Sequence, residues 1–256
     1  MTAVHGASLN IPTADGVADA YLTRPDDGAA HPGVLFFTDA SGLRPWIREM
    51  ADRLASNGYT VLVPNVFYRV GQAPVIPPPD QIEPADAQRY VAEDIMPLIA
   101  GLTPELAVPD AGAYLDQLAA SEYVTDGPVG LTGYCVGAGL MLRTAGAYPD
   151  RIAAGGGFHG GALATEAPGS PHLAAAAVTA ELYFGHADQD ETLPPEQIER
   201  LSKALDAAGV RYRAEVYTGA FHGYTQADFA KFGRYNAEAT ERHWRELVAL
   251  FDRTLR

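Results

Sequence analysis

Short β-branched or aromatic runs recur along this chain, separated by segments whose apolar residues fall at helical spacing. VADAYLT (17–23) predicts an early strand, and HPGVLFFTD (31–39) contains a buried one. Between 45 and 57, Trp46, Met50 and Leu54 recur with a helical period, Pro45 suits a first turn, and Gly58 closes the segment. YTVLVP (59–64) predicts the next buried strand. Further strands are expected at 128–132, 152–158, 180–184 and 210–217, with helices near 104–120, 136–147, 194–208 and 237–254. In the last helix Trp244, Leu247, Val248, Phe251 and Leu255 make one apolar stripe. Strands alternating with helices predict an α/β fold, a mostly parallel central sheet with helices on both faces. No composition break or repeat divides the chain, so a single domain over residues 1–256 is expected. The proline-rich stretch 69–87 reads as a long loop over the C-terminal edge of the sheet.

Composition narrows the function classes. Hydrophobic residues make up 47% of the 256, enough for a sizeable core, and no stretch is long and apolar enough to span a bilayer. The formal charge of −14 disfavours phosphate backbones and anionic lipid, so neither nucleic acid nor membrane is expected as a partner. The first sixteen residues lack the basic and apolar regions of an export signal, and a cytoplasmic location is expected. The seven histidines are scattered with no H-x-x-x-H pair, and one cysteine offers too few soft ligands, so no metal site is expected. GGGFHGG (155–161) lacks a helix after it that would make a dinucleotide fingerprint, so no cofactor is expected. It reads instead as a strand end packed against its neighbour.

The one cysteine, Cys135, stands in Gly133-Tyr134-Cys135-Val136-Gly137, where a predicted strand meets a predicted helix. A sharp strand-to-helix turn strains the central residue and leaves no room for a Cβ two positions away. G-x-C-x-G is thus the thiol form of the nucleophile elbow. The helix N-terminus favours an anion at that position. An elbow nucleophile needs an acid and then a histidine further along the chain. Gly185-His186-Ala187-Asp188-Gln189-Asp190 follows the 180–184 strand, and His222 follows the 210–217 strand. Asp188 is the preferred acid, Asp190 the second choice and Glu191 the third. His159 and His186 suit loop or pocket-wall roles, while His5, His31, His172 and His243 read as ordinary surface or loop residues.

On GYCVG (133–137), G-x-x-D (185–188), A-F-H-G-Y (220–224), TDASGL (38–43) and VLVPNVFYR (61–69), the chain resembles the dienelactone hydrolase family of α/β-hydrolases. The likeness runs from about residue 15 to the C-terminus. The resemblance implies an α/β-hydrolase fold, Cys135 as nucleophile, His222 as base, Asp188 as orienting acid, and an oxyanion hole from the N–H groups of Val136 and Ala40. Two substrate-binding positions depart from the family. Asp39 stands where dienelactone-opening members have a glutamate that contacts the thiol. Gln226 stands where they have an arginine for the substrate carboxylate. An amide cannot replace a guanidinium fork, although Arg69 or Arg89 could reach in. The expected function is cofactor-independent cleavage of a small ester or lactone by a monomer or small homo-oligomer. The competing readings are a thioesterase or carboxylesterase on the same residues, a non-catalytic binding protein of this fold, and a redox thiol.

Overall fold

The computed structural model describes residues 2–77 and 81–256. The chain forms two compact units, Met1–Asp126 and Gly127–Arg256.

In the first unit β1 (Val4–Thr13) and β2 (Gly16–Pro25) make an antiparallel hairpin. The hydrophobic pattern did not mark β1, because Ile11 alone of its ten residues is buried. β3 (Gly33–Phe37) and β4 (Thr60–Pro64) are buried along their whole length and pair in parallel. β4 also pairs antiparallel with β2, so the order is β1-β2-β4-β3. The mostly parallel sheet expected from the sequence has its antiparallel pairing in this unit, at β1–β2 and β2–β4. Helix α1 (Pro45–Ala55) buries Ile47, Met50, Ala51 and Leu54, and Gly58 at φ 93° makes the turn into β4.

The stretch expected as a loop, 69–87, is irregular as far as 77, and residues 78–80 lie outside the described residues. Helical turns begin at Pro84. Helix α2 (Ala87–Tyr90) runs through one π-helical turn, Val91–Ile95, into α3 (Met96–Gly101), and α4 (Pro104–Ala119) follows. The hydrophobic pattern does not predict a helix over 87–101. The buried residues there are Tyr90, Ile95 and Leu98, and the wide turn adds a residue that spoils the 3.6 period.

The second unit holds β5 (Val129–Tyr134), β6 (Ile152–Phe158), β7 (Glu181–Gln189) and β8 (Tyr212–Phe221), all parallel and in sequence order. Helices α5 (Val136–Ala147), α6 (Pro195–Ala207) and α7 (Ala237–Thr254) connect or follow them. The glycine run in β6 is a packing device. A Cβ on Gly155 would come within 2.6 Å of Met141 in α5, and one on Gly156 within 2.7 Å of Leu247 in α7. Neighbouring strand residues point to opposite faces, so the two helices cover opposite faces of this unit's strands. His243, expected as a surface or loop residue, is fully buried on the inner face of α7 beside Trp244, Leu247 and Phe251. It accepts the Tyr134 hydroxyl at Nε2 (3.0 Å), while its Nδ1–H donates to the Thr240 carbonyl (2.8 Å).

Candidate active site

β5 ends at Tyr134 and α5 begins at Val136, so the whole reversal falls on Cys135, with φ 53° and ψ −119°. That conformation costs a residue bearing a Cβ roughly 1–3 kcal/mol. The surroundings enforce it. The Cys135 N–H donates to the Phe158 carbonyl at the end of β6 (3.1 Å), and the Cys135 carbonyl accepts from Ala138 N–H (3.1 Å). Gly133 is required as the sequence suggested: a Cβ there would lie 2.1 Å from the Gly137 carbonyl oxygen. The side chain is thereby raised at the N-terminus of a twelve-residue helix.

β8 runs to Phe221, further than the pattern predicted, and His222 is the first residue beyond it. On one side its ring is close enough to Cys135 for the charge of the thiol to act on it. On the other, Nδ1 lies 2.8 Å from Asp190 Oδ2 and 3.1 Å from Thr192 Oγ1. Burial alone would lower the His222 pKa. The negative charge of Cys135 and the hydrogen bond to Asp190 outweigh it and raise the pKa to about 10. Burial pushes the Asp190 carboxyl up, but bonding to His222 and Thr192 wins and holds it below the ordinary value.

The carboxylate that meets His222 is therefore Asp190 and not Asp188, the residue preferred from the sequence. β7 continues five residues past the expected end, which places Asp188 within the strand. There its side chain is exposed and accepts the Gly219 N–H (2.9 Å) across the β7–β8 pair. Asp190 lies just beyond the strand, buried, with Oδ1 taking both the N–H (2.9 Å) and the hydroxyl (2.6 Å) of Thr192. Sequence reasoning missed Thr192. The signal was the D-x-T spacing, since a carboxylate readily binds the backbone two residues on.

Among the other expected residues, Val136 opens α5, and Ala40 is buried just past β3. Asp39 is buried and held bidentately by Arg44, at 2.7 and 2.9 Å, with Ser41 N–H on the same carboxylate. That buried ion pair was not anticipated. Gln226 is buried in the loop after His222, its N–H donating to Gly223. Arg69 is committed to Asp110 and Asp15, and Arg89 is exposed beside Asp86. His222 and Asp190 also border an open cleft of about 520 Å³ walled by Glu191, Pro194, Phe221 and Arg234. Among the described residues no three His, Cys, Asp or Glu side chains gather as metal ligands, and no helix is long and apolar enough to cross a membrane.

A model of the dienelactone hydrolase family matches residues 18–255. A carboxymethylenebutenolidase of Rhodococcus opacus is 28% identical over 92% of this chain and 86% of its own length. In three dimensions the chain matches a dienelactone hydrolase-like promiscuous phosphotriesterase from metagenomic libraries. The TM-score is 0.80 at 20% identity, covering 99% of this chain and all of that one, a likeness of fold.

Proposed function

This chain belongs to the dienelactone hydrolase family, with the α/β-hydrolase fold, and we propose that it cleaves a small ester or lactone through an acyl group carried on Cys135. One arrangement supports this reading above all. A strained cysteine at a helix N-terminus stands beside a histidine whose Nδ1 is bonded to a buried aspartate.

The steps follow from those contacts. With Nδ1–H donated to Asp190, the other nitrogen, Nε2, serves Cys135 and carries the mobile proton. The thiolate attacks the substrate carbonyl carbon, and the carbonyl electron pair moves onto oxygen, which the Val136 N–H at the start of α5 stabilises. As the tetrahedral species collapses, the carbon–oxygen bond to the leaving group breaks, and the departing oxygen takes the proton from Nε2. In a lactone that oxygen remains attached to the acyl chain. Nε2 then removes a proton from water, the resulting hydroxide attacks the thioester, and the thiolate departs with the electron pair. The side chain of His222 is 16% exposed and borders the open cleft, which gives this second step its water. Asp190 keeps its charge throughout and holds the ring in one tautomer.

Gln226 and the commitments of Arg69 to Asp15 and Asp110 favour neutral esters and lactones over carboxylated ones. A panel of both kinds, assayed on the wild type, Cys135→Ala and His222→Ala, tests the reading. Turnover lost in both variants supports it, and turnover retained in Cys135→Ala contradicts it.

A further inference from the structure

His159 is the residue that neither the sequence motifs nor the mechanism accounts for. It directly follows β6, as Cys135 directly follows β5, and both have positive φ, 38° and 53°. The two strand ends are joined by the Cys135 N–H bond to the Phe158 carbonyl. Its side chain is fully buried. Nε2 lies 2.8 Å from Thr225 Oγ1, and Nδ1 has no hydrogen-bond partner among the described residues. The ring meets His222 edge-to-face with centroids 5.4 Å apart, and Tyr224 at 5.0 Å.

Thr225 sits three residues after His222 in the same turn, His222-Gly223-Tyr224-Thr225. That turn is tied back to the strands at two points. The Tyr224 hydroxyl donates to the Gly185 carbonyl (3.0 Å), which also accepts the His159 N–H (2.9 Å). The other tie is the bond between His159 and Thr225. We infer that His159 is a positioning residue: it staples the His222 turn to the end of β6 through Thr225 and walls the His222 ring, so that Nε2 stays aimed at Cys135. Burying an imidazole with one nitrogen unpartnered is costly, and a strained backbone on a bulky residue adds to the cost. Burial and the adjacent His222 also push the His159 pKa well below the ordinary value, so the wall is uncharged and does not compete for the His222 proton.

The inference rests on the proposed role of His222, and its test separates the two. The proteins are wild type, His159→Gln, His159→Phe, Thr225→Val and the His159→Phe/Thr225→Val double variant. A Gln amide keeps a polar atom where Nε2 stands. Phe keeps the ring but loses the bond. Two measurements are made on each: kcat and KM for an aryl ester, and the His222 titration followed by NMR of labelled histidine, which needs no substrate. His159→Phe and Thr225→Val are each expected to lower kcat by about 10- to 100-fold with KM changed far less. His222 in both titrates nearer the ordinary histidine range because it has drifted from Cys135. His159→Gln stays within about 3-fold of wild type, and the double variant is no worse than the poorer single one. Unchanged His222 titration in Thr225→Val, additive losses, or equal damage from Gln and Phe would overturn the inference. If His159→Phe does not fold, Thr225→Val and His159→Gln decide it alone. A wild type inactive on every ester but with the titration shifts as expected would sink the proposed function and leave the positioning role standing.

Discussion

Asp190 Oδ2 lies 2.8 Å from His222 Nδ1. Asp188, only two residues earlier, turns its carboxylate away to the N–H of Gly219. The end of β7 separates their roles: Asp188 lies within the strand at the register shift between Ala187 and Gln189, whereas Asp190 lies past the end, buried against the histidine.

Asp190→Asn is therefore expected to lower kcat by roughly 1000-fold or more, since the amide lets the imidazole adopt the wrong tautomer. Asp188→Asn keeps an acceptor for Gly219 and should remain within about 3-fold of wild type. Steady-state kinetics on both variants check this. The reverse ranking would return the acid to Asp188.

The first glycine of the elbow makes a stability prediction. Gly133→Ala drives a methyl to 2.1 Å from the Gly137 carbonyl oxygen, an obstacle made of backbone that cannot swing aside. Overpacking of that kind costs about 1–3 kcal/mol or more, which lowers Tm by roughly 5 °C in a chain of this size. Thermal unfolding by circular dichroism gives the answer. An unchanged Tm would mean the turn is looser than described.

The pH dependence of stability has two arms of opposite sign. His222 is raised to about 10, so its contribution is fully present below pH 6.5 and is lost as pH rises towards 10. His186, buried with both ring nitrogens lacking partners among the described residues, is lowered to about 4, chiefly by burial. Between pH 6.5 and 4 the unfolded chain binds this proton and the folded chain does not, so stability falls with falling pH by about 3 kcal/mol. His186→Phe, stacking on Phe184 as the imidazole does at 5.7 Å, should flatten that acid arm in denaturant titrations at several pH values and leave the alkaline arm alone. An acid arm as steep in the variant as in the wild type would assign it to other groups.

Much of this architecture can be read in the letters. The buried strands β3 to β7 and helices α1 and α5 to α7 stand out because each is apolar throughout or along one face. Cys135 and His222 stand out because a thiol between glycines and a histidine directly after a strand are chemically conspicuous. β1 does not stand out, since a hairpin strand with nine of ten residues at least partly exposed carries little apolar signal. That Asp188 lies away from His222 is hidden in the sequence for a related reason. HADQ at 186–189 has the polar look of a loop, yet its backbone stays paired to β8. Arg44 on Asp39, Thr192 on Asp190 and His159 on Thr225 are polar contacts made by tertiary packing, and only the second leaves a local spacing to find.

Substrate charge is the next test. With Gln226 where an arginine would bind a carboxylate, kcat/KM for a neutral lactone should exceed that for its carboxylated counterpart by roughly 10-fold or more. A lost charge-assisted bond amounts to about that factor. Gln226→Arg should narrow the gap. A wild-type preference for the carboxylated lactone would show that another group supplies the positive charge.

Whether Cys135 carries the acyl group is read by rapid-quench mass spectrometry of the protein mixed with an aryl acetate. One acetyl group per chain is expected, localised by digestion to the peptide containing Cys135. The adduct should appear in a burst with the released phenol, persist longest in His222→Ala if that variant is acylated, and be absent from Cys135→Ala. Steady turnover by Cys135→Ala, or full wild-type turnover with no thioester on Cys135 at any time point, would contradict it.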